Sequence, residues 1–232
     1  MQCIPAQDAD LDNICNLLVA EFFDDPIYKF VFNSRTGRID RMWRFFRLYA
    51  DLASEYGGIY FVENYVGVQV YFRPEFMAIS NQQLDIDNRL RHACGSDYAT
   101  VAKWMRGCDN FHPRTPPHYY LFLTAVERTH RGHDGAKVMK TLFRELSAIL
   151  DKEVFPCYSE CTRRGGLGIA RPFGFRYAGS ARSVEGFPEF YPIWREQQKN
   201  IEFLYHWFIN IFSLDFTRYL YYIAVLKNIV LK

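Results

Sequence analysis

Apolar positions recur every three or four residues over several long stretches of the chain. This spacing predicts amphipathic helices at 8–23 and 38–55, and a further helix from Gly135 through Leu150. The stretch 81–109 has the same spacing only in parts, which predicts one or two helices there. Asp8 is a candidate N-cap for the first helix.

Shorter apolar runs, rich in β-branched and aromatic residues, lie between these helices. They predict a hairpin of strands at 59–63 and 66–72, and a longer strand at 119–126. Two more short strands are expected at 175–178 and 190–194. Helices and strands that alternate in this way indicate a mixed α/β (α+β) domain.

A polar, basic turn containing glycine, at 127–135, joins the strand at 119–126 to the helix that follows it. The free N–H groups of a helix's first turn and the positive end of its dipole together bind anions. Arg131 adds a fixed positive charge to this turn. Neither a P-loop nor a dinucleotide-binding glycine motif is present.

The turn and the segment after the helix together resemble the GCN5-related N-acetyltransferases. The family's acetyl-CoA loop reads Q/R-x-x-G-x-G/A, and the sequence Arg-Gly-His-Asp-Gly-Ala at 131–136 is similar to it. The family then has a strand of the form P-x-Y-L-E-x-S, a short helix and a Gly-Phe pair. The segment 155–175 matches that pattern through Pro156, Tyr158, Glu160, Gly174 and Phe175. With the N-terminal elements, the resemblance covers about residues 3–195.

The resemblance implies a central, mostly antiparallel sheet flanked by helices within residues 1–195. It implies an N-acetyltransferase that moves an acetyl group directly from acetyl-CoA to an amine of a small molecule or protein, without a metal. The alternative is a degenerate domain that keeps the fold and either binds CoA or acts as a scaffold, with little or no turnover.

The resemblance also assigns the acetyl-CoA site. The strand backbone that pairs with the pantetheine arm belongs to Thr124, Ala125 and Val126. The loop that holds the diphosphate comprises Arg131, Gly132, His133, Asp134, Gly135 and Ala136. Asp134 replaces a glycine of the family pattern, and its carboxylate would repel a phosphate. It either points to solvent or caps the helix that opens at Gly135.

Glu160 is the candidate general base, because a carboxylate beside the reactive end of the cosubstrate can be tuned toward neutral pKa. The alternative role is a structural carboxylate, and Glu127 is a weaker candidate base. Many relatives place a proton-donating tyrosine on the short helix, where this chain has Ala170. Tyr158 and Tyr177 are candidate substitutes for that acid.

The acceptor amine is expected between the first two helices and the last strands. Candidate lining residues, which equally suit a core, are Phe23, Asp25, Tyr28, Phe32 and Phe190. An aromatic and acidic lining suits a cationic amine. His118 and His130 are expected to be solvated loop residues. Arg163 and Arg164 either meet the cosubstrate's phosphates or form a solvated basic turn.

Composition narrows the remaining possibilities. The formal net charge of +2 gives no indication of nucleic-acid binding. The 6 cysteines form no C-x-x-C pair and have no zinc-like spacing to histidine, which predicts reduced thiols in a cytoplasmic protein. The first ten residues lack the features of a signal peptide.

The segment 196–232 extends beyond the end of the family fold and is predicted to be an apolar helical extension. Asp215 and Arg218 divide 201–231 into two apolar pieces, each too short to span a bilayer. Three roles remain open: packing on the domain or in a homodimer, peripheral membrane contact, or no evolved role.

Overall fold

A computed structural model describes residues 1–34, 36–130 and 132–198, with the backbone alone at position 133. Its centre is a seven-stranded sheet with the order β1-β2-β3-β4-β5-β7-β6. The strands are β1 (Cys3–Pro5), β2 (Gly57–Val62), β3 (Gly67–Phe72), β4 (Tyr119–Val126), β5 (Cys157–Cys161), β6 (Phe175–Tyr177) and β7 (Tyr191–Arg195). Neighbouring strands are antiparallel except for β4 and β5, which are parallel. The predicted mixed, mostly antiparallel sheet is confirmed.

Helices cover both faces of this sheet. They are α1 (Leu11–Phe22), α2 (Pro26–Val31), α3 (Arg38–Tyr56), α4 (Ile86–Cys94), α5 (Tyr98–Phe111), α6 (His133–Glu153) and α7 (Gly166–Ala170). One large apolar core joins α1 to α5 with one face of the sheet, and two smaller clusters join α6 and α7 with the other. The segment predicted as one or two helices at 81–109 forms α4 and α5.

The N-terminal region differs from the prediction in three details. A short 3-10 turn, Asp8–Asp10, precedes α1, and the capping box is made by Gln7 and Asp10 rather than by Asp8. Strand β1 and helix α2 were not predicted, because each is too short to show a periodic pattern. The Asp25 side chain caps α2 by accepting a hydrogen bond from the Ile27 N–H group at 3.0 Å.

Helix α6 begins at His133, two residues earlier than predicted. Its N-cap is Gly132, whose backbone angles of φ 91° and ψ −138° are open almost only to glycine. Asp134 therefore lies within the first turn and does not cap the helix. The alternative in which Asp134 caps a helix that opens at Gly135 is therefore wrong, because the helix already begins at His133 with Gly132 as its N-cap.

A glycine on β3 allows α6 to approach the sheet closely. A Cβ atom at Gly67 would lie 2.4 Å from Val138 Cγ1 and 3.3 Å from the Ala125 carbonyl oxygen. Val138 and Leu142 of α6 are fully buried over this point. The contact fixes the height of α6 above β3 and β4.

From residue 199 onward, the predicted C-terminal extension and its proposed homodimer or membrane contact lie outside the described residues. Within the described part of the chain, no helix combines the length and apolar character needed to cross a bilayer.

We expect Gly67→Ala to destabilise the protein by about 1–3 kcal/mol, because the added methyl group overpacks a stiff, buried valine. Chemical denaturation measures the change. Gly165→Ala is the matched control, since a Cβ there meets no atom within 4 Å. Equal stability of both variants would contradict the close packing of α6 on β3.

Candidate active site

The alternation of side chains along β4 shifts by one residue at Phe122. Leu121 pairs with Tyr71 of β3, but the next paired residue is Leu123, opposite Val70, so Phe122 is the extra residue of a β-bulge. Before the bulge, Tyr119 and Leu121 pack beneath α6, whereas after it Leu123 and Ala125 pack toward α1 and α3. The bulge therefore reverses which side chains of β4 face each layer.

Strands β4 and β5 separate directly beside this bulge. Their parallel pairing ends at Leu121 and Ser159, although β4 continues to Val126 and β5 to Cys161. The Ser159 hydroxyl donates a 2.7 Å hydrogen bond to the Leu121 carbonyl oxygen at the point of separation. Beyond it, the edge of β4 that faces β5 pairs with no other strand of the described residues.

The separation opens into a cavity of about 1000 Å³. Thr124, Ala125 and Val126 line it along β4, together with the loop residues Gly132, Gly135 and Ala136. Glu160 and Ser159 of β5 lie in the same cavity. One continuous space thus joins most of the residues predicted to hold acetyl-CoA with the predicted base. Arg131 and the His133 side chain lie outside the described residues.

The loop end of the cavity has the geometry of an anion site. A Cβ atom at Gly135 would lie 2.7 Å from the His130 carbonyl oxygen, so only glycine lets the first turn of α6 approach this closely. Lys140 and Arg163 add positive charge to the lining. The Asp134 side chain is 64% exposed and forms a 3.1 Å ion pair with Lys137, so water screens its charge.

These residues fit an extended, phosphate-bearing ligand such as acetyl-CoA. A Cβ atom at Gly132 or Gly168 would meet nothing within 4 Å, although both glycines line the cavity. Among the residues that the structure describes, the buried Thr124 hydroxyl has no hydrogen-bond partner. Open space and an unpaired strand edge therefore lie along one wall of the cavity.

Glu160 is held in a largely apolar environment. Its side chain is 9% exposed, and its Oε2 atom accepts a 2.6 Å hydrogen bond from the Tyr120 hydroxyl. Burial raises the pKa of Glu160 to about 7, although the hydroxyls of Tyr120 and Tyr158 oppose the rise. Among the described residues, the other oxygen, Oε1, has no partner in hydrogen-bond geometry, although the Tyr158 hydroxyl lies close enough to lower the pKa of Glu160. A carboxylate with this pKa is poised to exchange a proton near neutral pH.

Two buried histidines lie behind Glu160. His118 was predicted to be solvated, but it is 1% exposed, because the end of α5 and Trp194 cover it. Its ring lies at an angle of 25° to that of His112, the residue that caps α5, and the two Nε2 atoms point toward each other. Sequence reasoning missed His112, since no motif marks it. His130 lies at the surface and forms an ion pair with Glu127.

The tyrosines considered as substitute acids occupy different places. Tyr177 is 44% exposed, and its hydroxyl donates to the Arg164 carbonyl oxygen at 3.4 Å, away from the cavity lining. Tyr158 is 1% exposed, and its hydroxyl lies near Glu160 without a hydrogen-bond partner. Ala170 lines the cavity at the position where the family resemblance implies a tyrosine, and its methyl side chain cannot donate a proton.

The part of the cavity beside α2 and α5 is aromatic and acidic. Asp25 and Tyr28, two of the candidate lining residues for an acceptor, lie there, whereas Phe32 and Phe190 are fully buried core residues. Further lining residues of this part are Phe22, Trp104, Met105, Cys108 and Tyr120. Asp25 accepts a 2.7 Å hydrogen bond from the Thr162 hydroxyl and a 3.4 Å contact from Arg163, which ties α2 to the end of β5.

Glu160→Gln is expected to change how stability depends on pH. Because the folded-state pKa of about 7 exceeds the ordinary 4.5, the folded protein retains a proton that the unfolded chain has released. Wild-type stability therefore falls by up to about 3 kcal/mol as pH rises between these values. The variant lacks this loss and gains relative stability over that range.

Chemical denaturation at several pH values measures this difference, with the exposed Glu185→Gln as the control. A stability difference between Glu160→Gln and the wild-type protein that stays constant with pH would contradict the environment assigned to Glu160.

The chain has no match among protein-family models, and no curated protein sequence is detectably similar to it. Solved structures do match its fold. One is described as histone acetyltransferase HPA2 and related acetyltransferase from Corynebacterium glutamicum. It is 20% identical, with a TM-score of 0.61 over 85% of this chain and 97% of that one.

Two further structures match over 84% of this chain and 98% of their own, each at 11% identity. They are arylalkylamine N-acetyltransferase 2 from Aedes aegypti, with a TM-score of 0.59, and the C-terminal condensation domain of Ebony in complex with β-alanyl-dopamine, with a TM-score of 0.58. The described part of this chain therefore has the fold of the GCN5-related N-acetyltransferases.

Proposed function

We propose that this protein transfers an acetyl group from acetyl-CoA to the amine of a small molecule or protein. The observation that carries the proposal is the single cavity between β4 and β5. The N-terminus of α6, where a phosphate would bind, and Glu160, whose carboxyl group has a near-neutral pKa, both line this cavity. A ligand with a phosphate at one end and a reactive group at the other suits this arrangement.

Two segments of the chain would bind different parts of acetyl-CoA. The start of α6, from Gly132 to Ala136, would hold the diphosphate through the N–H groups that precede Ala136, whose own N–H group donates to the Gly132 carbonyl oxygen. Lys140 of the cavity lining and Arg131, which precedes Gly132 in the sequence, would supply positive charge. The free edge of β4 at Thr124–Val126 would pair with the amide-bearing arm. Acetyl-CoA supplies the acetyl group as an activated thioester.

The acceptor proposed here is a small amine that carries an aromatic ring. Tyr28, Trp104 and Tyr120 offer ring faces, and Glu160 offers a carboxylate to an ammonium group. Two of the similar structures are described with arylalkylamines or a dopamine conjugate. Fold similarity at this identity supports the class of acceptor only by analogy.

Glu160 would act as the general base. Its carboxylate takes a proton from the ammonium group, and the freed amine nitrogen then forms the new amide bond as the thioester C–S bond breaks. The departing thiolate takes up a proton from solvent, because Ala170 provides none. A thiol has a pKa near 8.5, so the thiolate is a tolerable leaving group without a dedicated acid.

A second candidate is a domain that binds acetyl-CoA with little turnover. Ala170 favours it, since the position that carries a proton donor in many relatives has no polar atom. Asp134 also favours it, although its exposure and its ion pair with Lys137 limit its repulsion of a phosphate to about 1 kcal/mol.

Acetyl transfer to tryptamine and phenethylamine tests the proposal. We expect kcat/KM for the amine to rise with pH through about 7, because Glu160 must be ionised to accept a proton. Glu160→Gln should lower kcat/KM by about 100-fold and remove this limb of the pH profile. Its affinity for acetyl-CoA should be unchanged.

Glu185→Gln, at the surface, is the control for the loss of one carboxylate. Full activity of Glu160→Gln would overturn the role of Glu160. Absence of transfer to any amine, with acetyl-CoA bound, would favour the second candidate.

A further inference from the structure

His112 and His118 form a pair that is buried behind Glu160 and does not line the cavity. The two residues are 6% and 1% exposed, and their Nε2 atoms are 2.9 Å apart. His112 also meets the rings of Tyr120 and Tyr158 edge-on, at centroid distances of 4.6 Å and 4.5 Å. The proposed reaction does not involve either ring directly.

The hydrogen atoms of this pair can be placed from one backbone carbonyl group. His118 Nδ1 lies 2.7 Å from the Pro116 oxygen, and because a carbonyl oxygen only accepts, this nitrogen carries the hydrogen. In neutral His118, Nε2 is then an acceptor, so His112 Nε2 must donate to it. Neutral His112 is left with a bare Nδ1 atom.

That bare nitrogen faces Glu160. His112 Nδ1 is 3.8 Å from Glu160 Oε1, just beyond hydrogen-bond length, and Oε1 is the oxygen without a partner. Two acceptors face each other here while the carboxylate is ionised. Once Glu160 is protonated on Oε1, this oxygen becomes a hydrogen-bond donor and His112 Nδ1 is its acceptor.

We propose that His112 and His118 are positioning residues with fixed hydrogen polarity, which present a bare nitrogen to receive the O–H group of protonated Glu160. The inference rests on the proposed role of Glu160 as the base. When Glu160 takes the proton, an N–H bond of the ammonium group breaks and an Oε1–H bond forms, and this O–H group then donates to His112 Nδ1. A hydrogen bond to the neutral carboxyl group favours that form.

The surrounding groups support this assignment. Burial lowers the pKa of His112 to about 3, and burial also lowers the pKa of His118, so both rings stay neutral at physiological pH. The other titratable groups that face Glu160 are Tyr28, Cys108, Asp109, Tyr120, Tyr158 and Cys161. Burial raises the pKa of each phenol and thiol among them, which keeps these groups uncharged. Arg114 near His112, and Arg182 near Tyr158, are the nearby cations.

His118→Phe separates this role from simple packing. The substitution keeps a ring in place but frees His112 to move its hydrogen to Nδ1, where it donates to the Glu160 carboxylate. A donor to the charged form lowers a carboxyl pKa. We expect the limb of the kcat/KM profile near pH 7 to move down by about one pH unit, a tenfold change in the proton equilibrium.

Nitrogen-15 NMR of the imidazole rings tests the pair without requiring activity. In the wild-type protein, the hydrogen should lie on Nδ1 of His118 and on Nε2 of His112, with neither ring titrating near neutral pH. In His118→Phe, the His112 hydrogen should lie on Nδ1. The exposed His92→Phe is the control and should change neither the spectrum of the pair nor the pH profile.

Two results would overturn the proposal. One is a hydrogen on His112 Nδ1 in the wild-type protein, which needs no variant to observe. The other is an unshifted pH limb in a folded His118→Phe protein. If the protein acetylates no amine but the wild-type rings show the expected tautomers, the base role of Glu160 fails and the polarity of the pair stands.

Discussion

The separation of β4 and β5 at Leu121 and Ser159 is the constraint on which the site depends. Parallel strands normally continue to pair, and an unpaired backbone edge is costly unless something satisfies it. Here β4 bulges at Phe122, next to the position where its pairing with β5 ends. At the last paired position, the Ser159 hydroxyl donates a hydrogen bond to the Leu121 carbonyl oxygen. The cavity opens at the remaining edge, which is where we propose that an extended ligand binds, and the proposed loop and base both line this cavity.

The elements of this site could be predicted from local sequence, but their assembly could not. The helical spacing after Gly135 and the apolar run at 119–126 are local signals, and the structure contains both elements. The bulge depends on pairing with β3, about fifty residues earlier, and no local pattern specifies it. His118 follows a proline-rich loop that resembles a solvated segment, yet His112 at the end of α5 packs against its ring.

The environment of Glu160 connects the fold to the proposed chemistry. The same packing that excludes water from the two histidines also raises the pKa of Glu160 to about 7. An exposed glutamate with an ordinary pKa would be fully ionised near neutral pH but a weak base. The cost of burying this group is a loss of stability, which active sites commonly carry.

Titration calorimetry with acetyl-CoA tests the central claim most directly, using the wild-type protein and Asp134→Asn. We expect micromolar binding by the wild-type protein, and binding by the variant that is at most about fivefold tighter, because the exposed Asp134 repels a phosphate by about 1 kcal/mol. Binding by Asp134→Asn alone would indicate a loop that is built but disabled. Absence of binding by both proteins would contradict the assignment of the cavity between β4 and β5.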